Sequence, residues 1–251
     1  RYLELLSKKG TAEEKILALN GAISAGEADA STYIQLGDLY KEAGNHAKAI
    51  PCYEKASQLD AKNTSVLSAL AECQVKAGSV SAAILTYEQS IAMNPASSYE
   101  YKILGDLYKK DNKIESAIKN YKKYLEKNSD NSLAKEIGEY AFAKKNYADA
   151  IKYLGMVSGP ESEKMEFLKM YADAHYLNKD EAKAYDIYRK LGEKPNAEAD
   201  ILKKLYEIAG KLGTKENVLI YLQKYAALKP SDVEAQRILG DKLYEKKDSS
   251  G

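Results

Sequence analysis

Residues 33–61 read YIQLGDLYKEAGNHAKAIPCYEKASQLDA, and this stretch decides the fold. It reads as two short helices joined by a tight turn at Gly44, where glycine adopts a positive φ without penalty. Gly37 and Ala49 stand twelve residues apart, with large apolar residues beside each. Folding the chain back at Gly44 sets these small residues face to face, so the two backbones approach closely. Tyr40 and Tyr53 fill the space beside that contact.

The same template fits again every 34 residues, with one step of 33. Leu36-Gly37 recurs as Leu70-Ala71, Leu104-Gly105, Ile137-Gly138, Tyr171-Ala172, Leu205-Tyr206 and Leu239-Gly240. The small residue of the second helix recurs as Ala83, Ala117, Ala150, Ala184 and Val218, and its large partner as Tyr87, Tyr121, Leu154, Tyr188 and Leu222. Pro95 and Pro230 fall where the second helix of a repeat should stop. Repetition at this period decides the architecture before any single site is considered. The boundaries it gives are a truncated repeat at 1–29, repeats at 30–63, 64–97, 98–130, 131–164, 165–198 and 199–232, a final helix at 233–247 that caps the end, and a tail at 248–251.

This pattern resembles the tetratricopeptide repeat (TPR) family, in which a small residue of helix A meets an alanine of helix B between aromatics at this period. The resemblance spans 1–251 as a single array. It implies an all-α, right-handed superhelical solenoid of helical hairpins, with an inner face built mostly from the A helices. It also implies a non-catalytic scaffold for protein–protein interaction. The Lys- and Tyr-rich style matches bacterial members, which are cytoplasmic or anchored in the envelope.

Composition agrees with a binding role more than with a chemical one. Basic and acidic residues number 38 and 37, so the whole chain carries no electrostatic footprint for nucleic acid or anionic membrane. No apolar run approaches the ~20 residues of a membrane span. Cys52 and Cys73 lie on different helices and read as buried small hydrophobes ahead of a bridged pair. The motifs of phosphate-binding loops, zinc proteases and serine hydrolases are absent, and the chain implies no cofactor or metal. His46 falls in a turn, and His175 takes the helix A position of Tyr40 and Tyr108, where a packing role is expected. The chain opens on Arg1 and not on Met, which reads as a fragment or a processed product with further repeats upstream.

Local departures from the template carry further expectations. Tyr2–Lys9 reads as the end of a helix A, and Thr11 with Glu14 has the form of a capping box. Lys15 stands where other repeats have alanine, and Tyr206 replaces the small residue of its repeat. Asn112 serves a turn otherwise made by glycine. Gly159-Pro160 ends the helix that starts near Tyr147, as a loop inside the array. The position after the large residue of helix B is small in the first three repeats (Ala22, Ala56, Ser90) and larger in the rest (Tyr124, Val157, Leu191, Tyr225). Superhelical curvature should therefore differ between the two halves.

The informative positions lie on the inner face of helix A. One column is acidic in every repeat: Asp38, Glu72, Asp106, Glu139, Asp173, Glu207 and Asp241. A second, four residues earlier, holds Ile34, Ser68, Lys102, Lys135, Lys169, Lys203 and Arg237. Each later acid thus has a basic neighbour one helical turn away, worth ~0.2–0.5 kcal/mol and able to cancel its charge. Asp38 and Glu72 lack one, so the N-terminal groove should be the more acidic. A third column offers Phe142, Tyr176 and Tyr244, with Tyr99 near it, as anchors for a bound segment.

The resemblance also allows a known family activity to be tested. Capture of a chaperone's C-terminal carboxylate requires Lys and Asn on one helix A, Asn on the next, and Lys with Arg on the third. Those places hold Ile34, Asp38, Ala69, Tyr99 and Ile103, or, one start later, Lys102, Asp106, Glu136, Glu166 and Met170. Neither set binds a carboxylate, so this clamp is excluded. The expected partner-binding groove comprises Tyr99, Lys102, Asp106, Lys135, Phe142, Lys169, Asp173, Tyr176, Lys203 and Glu207. The expected ligand is a peptide or helical segment of a partner protein. Two other roles remain open at this stage: the recognition arm of a larger enzyme, and a scaffold that self-assembles.

Overall fold

The structure is a computed structural model that describes residues 10–248. The expected helix at Tyr2–Lys9 and the last three residues of the tail lie outside that range. The described residues form fourteen α-helices and one short 3-10 helix, with no strand among them. The chain divides into two compact units, one up to Asn128 and one from Ser129 onward.

The first unit holds α1 (Ala12–Ser24) and three hairpins: α2 (Ala30–Glu42) with α3 (His46–Leu59), α4 (Thr64–Lys76) with α5 (Val80–Met93), and α6 (Ser98–Lys110) with α7 (Ile114–Leu125). The second holds α8 (Asn131–Ala143) with α9 (Tyr147–Leu154), α10 (Met165–Leu177) with α11 (Glu181–Gly192), α12 (Ala199–Lys211) with α13 (Lys215–Leu228), and α14 (Val233–Asp248). Within each unit every helix packs on the next one in the chain, the arrangement of an all-α helical-repeat solenoid.

Short polar side chains start these helices. Thr11 and Glu14 make the reciprocal capping box, at 3.3 and 2.9 Å. Asp29, Asn45, Asn63, Asp130, Asn146 and Asp180 each accept a bond from a backbone N–H in the first turn of the following helix. The turns inside the hairpins need a left-handed residue. Gly44 has φ 72°, and the same place is filled at more strain by Asn112 (φ 57°), Lys145 (φ 60°) and Lys179 (φ 67°).

Hairpin packing sets the small residue of helix A against the large residue of helix B, where the sequence reading set Gly37 against Ala49 with Tyr53 beside them. Ala49, Ala83, Ala117, Ala150 and Ala184 are at most 1% exposed. A Cβ added to Gly37 would lie 2.9 Å from the Tyr53 ring, and one added to Gly138 would lie 2.6 Å from Leu154 Cγ. Glycine here is a requirement of close approach, not of backbone freedom. Tyr206, in the small position of its repeat, is half-buried with its ring centroid 5.7 Å from that of Tyr225.

Two local features differ from the sequence reading. The helix that begins at Tyr147 stops at Leu154, before Gly159-Pro160, which instead opens the 3-10 turn Gly159–Glu163. Gly155 ends the helix because the backbone N–H groups of Gly155 and Met156 turn back to Ile151 and Tyr153. Pro51 sits inside α3 on its exposed side and removes one helical hydrogen bond. Cys52 and Cys73 are both buried free thiols. Burial pushes each thiol up from its ordinary value.

Candidate functional site

The acidic column of the A helices is part of the hairpin architecture. Tyr53 donates its phenolic hydrogen to Asp38 at 2.6 Å, Tyr121 to Asp106 at 2.8 Å, and Tyr188 to Asp173. In each case the tyrosine follows the aspartate by fifteen residues, across one hairpin. Burial pushes the Tyr53 and Tyr188 phenols well above their ordinary value, and the accepting carboxylates push in the same direction. These phenols therefore remain donors at any physiological pH. The signal was present in the sequence: aspartate at this place goes with tyrosine fifteen later, while Glu139 and Glu207 go with Leu154 and Leu222. Glu72 goes with Tyr87, whose phenol is pushed up to about 12 by burial and then by the Glu72 charge.

The basic column makes only part of the expected pairing along its own helices. Lys135 reaches Glu139 at 3.7 Å, and Arg237 reaches Asp241 at 3.0 Å. Lys135 lies closer to Glu161, at 2.6 Å, and Arg237 also binds Glu234, at 2.7 Å. Lys169 turns to the next hairpin and binds Glu198 at 2.6 Å and Asp200 at 2.9 Å. Those bonds, Glu198 first, hold its ammonium above the usual lysine value. Asp173 is paired by Lys204 as well as by Tyr188. Lys102 and Lys203 lie over the rings of Tyr124 and Tyr225, at 5.2 and 5.9 Å.

Glu72 also departs from expectation, because Lys41 of the preceding hairpin binds it. The N-terminal helix A face is not the more acidic one. Over the six face positions equivalent to Ser31, Ile34, Gln35, Asp38, Lys41 and Glu42, the first unit has four acids and five bases, and the second has nine acids and six bases. The expectation rested on two columns. The lysines at the C-terminal ends of α4 and α6 reverse it.

The aromatic column is split by environment. Phe142 is half-buried, edge-on to Tyr147 with ring centroids 5.7 Å apart. Tyr176 is half-buried beneath the Lys211 ammonium at 5.2 Å, and Lys211 in turn binds Glu181 at 2.6 Å. Tyr99 and Tyr244 are 68% and 73% exposed, so packing does not account for them. The equivalent places in the first unit hold Lys41, Val75 and Lys109.

One buried polar cluster gave no signal in the sequence. Glu100 is buried at the start of α6 and accepts from Ser90 at 3.0 Å and from Ser68. These serines come from α5 and α4, so the cluster ties three consecutive helices. His175 is buried, as its helix A position implied. Its Nδ1 lies 2.9 Å from Asp180, which also accepts from the Lys183 N–H at the start of α11. No group of residues suited to hold a metal ion occurs among the described residues. No helix among them is long and apolar enough to cross a membrane.

Two tetratricopeptide-repeat family profiles match consecutive stretches, residues 40–107 and 104–162. The chain is a tetratricopeptide-repeat protein. As a TPR protein it is similar to solved structures at low identity. A crystal structure of MamA is 22% identical over 73% of this chain and 98% of that one, with a TM-score of 0.50. The structure of Naa15/Naa10 bound to HypK-THB is 14% identical over 88% of this chain and 35% of that one, with a TM-score of 0.53. At such identities the likeness concerns the fold. A tetratricopeptide repeat protein from Parabacteroides merdae is 17% identical over 96% of each chain, with a TM-score of 0.49. No curated protein matches the chain. TPR arrays are in general non-catalytic scaffolds for protein interaction.

Proposed function

We propose that this TPR protein captures a peptide or helical segment of a partner protein on its helix A face, without catalysis. The observation that supports this most is the pair Phe142 and Tyr176, aromatic rings one hairpin apart that the fold leaves half-exposed on that face. Half-exposed aromatics beside engaged charges have the character of interface anchors. On the first unit's own helix A face, Tyr99 is the candidate anchor. Within the second unit, Lys135, Lys169 and Lys203, with Asp173 and Glu207, set the register of the bound chain around Phe142 and Tyr176; within the first unit, Lys102 and Asp106 serve the same purpose around Tyr99. Asp106 and Asp173 do so with one oxygen already held by a phenol.

Affinity capture from a lysate of the source cell tests the reading, with the chain beside a Phe142→Ala/Tyr176→Ala double variant. A protein retained by the first and lost by the second is the expected result, provided both remain helical by circular dichroism. Equal retention by both would place binding elsewhere on the surface.

A further inference from the structure

We infer that the segment taken by the helix A face of the second unit is cationic and amphipathic, an inference that rests on the groove reading above. Two independent features of that face specify it. The first is the apolar strip of Phe142 and Tyr176, extended by Leu177, which is 43% exposed at the end of α10. Each of the three hairpins of the first unit has a lysine at one or both of the places equivalent to Tyr176 and Leu177 (Lys41, Lys76, and Lys109 with Lys110), so it offers no such strip. An apolar strip bounded by charge accepts the apolar side of an amphipathic segment.

The second feature is charge. Acids exceed bases by nine to six on this face, within a chain whose net charge is +1. Five of the six bases bind carboxylates of the unit itself (Lys135 to Glu161, Lys169 to Glu198 and Asp200, Lys204 to Asp173, Lys211 to Glu181, Arg237 to Glu234 and Asp241), and Lys203 lies over the Tyr225 ring. They are poorly placed to receive an anionic ligand. Glu166, exposed on α10, is one of the nine. Lysine or arginine beside the apolar residues of the ligand complements this field, whereas aspartate or glutamate opposes it.

Fluorescence anisotropy with two labelled amphipathic peptides of about 18 residues, roughly 27 Å as a helix, tests the inference. One is built of Leu and Lys and the other of Leu and Glu. The Leu/Lys peptide should bind saturably, and the Leu/Glu peptide about tenfold or more weakly. The affinity of the Leu/Lys peptide should fall severalfold in Glu166→Gln/Glu207→Gln, and less in Asp186→Asn/Glu216→Gln, which removes the same charge from B helices. Equal binding of both peptides, equal loss in both charge variants, or no saturable Leu/Lys binding overturns the cationic inference. Leu/Glu binding as tight as Leu/Lys binding, with both lost in Phe142→Ala/Tyr176→Ala, would leave the groove reading standing while sinking the cationic one. Leu/Lys binding that is unchanged in that double variant would sink both.

Discussion

At the scale of the residue, the Tyr–Asp pair decides what the acidic column does. A hydrogen bond to an ionised acceptor contributes about 1.5–3 kcal/mol when buried, and Asp38 is exposed, so the lower end applies. Tyr53→Phe should destabilise the protein by about 1.5 kcal/mol in urea unfolding. Tyr87→Phe should cost less, since no carboxylate accepts from that phenol among the described residues. The glycines make a second comparison. Gly138→Ala forces a methyl against Leu154 and should cost about 1–3 kcal/mol. Gly240 has nothing within 4 Å of an added Cβ, so Gly240→Ala should stabilise α14 by roughly 0.5–1 kcal/mol. Equal effects at the two sites would show that close approach does not explain the small residue.

At the scale of the element, the hairpin turns and one helix carry strain that substitution can remove. Lys145 and Lys179 occupy left-handed backbone that favours glycine. Lys145→Gly and Lys179→Gly should each stabilise by up to about 1 kcal/mol, read from thermal unfolding. Pro51 lacks the N–H that would bond to the Ala47 carbonyl one turn earlier. Pro51→Ala restores that bond on an exposed side and should raise stability by about 1–3 kcal/mol. A loss of stability there would mean that the proline ring packs to greater effect than its exposure indicates. Capping belongs to this scale too, and it was legible: Thr11 with Glu14 makes the box that its spacing implied.

At the scale of the whole molecule, tyrosine makes the protein sensitive to alkali. Tyr87, Tyr108 and Tyr221 are pushed up to about 12, in each case by burial first. Tyr225 is pushed up to about 12 by its bond to Asp232 first. An unfolded chain releases these protons near pH 10. Between about 10 and 12 the folded state binds more protons than the unfolded one, so stability present below pH 10 falls as pH rises through that window. Absorbance of phenolate at 295 nm should show a group of tyrosines that ionise only on unfolding, together with loss of helical signal. Titration of all 21 tyrosines as one class near pH 10 with the helices intact would contradict the structure.

The sequence by itself determined the repeat, the order of helices and the residues of each hairpin core. The reason is that these rest on pairings close along the chain. Gly37 meets Tyr53, and Gly138 meets Leu154, sixteen residues away in both cases. The tertiary structure alone decided the polar surface. Lys169 lies four residues from Asp173, yet Asp173 is taken by Tyr188 and Lys204, and Lys169 reaches Glu198 and Asp200. A lysine ammonium on its long stem can reach acids of several helices, and spacing along one helix does not rank them. The same holds for Glu100, whose serines arrive from two other helices. Exposure was likewise beyond the sequence. Phe142, Tyr176 and Tyr244 share one column, but only packing, against Tyr147 of its own hairpin for Phe142 and beneath Lys211 of the next hairpin for Tyr176, makes the first two half-buried, while the third is open to solvent.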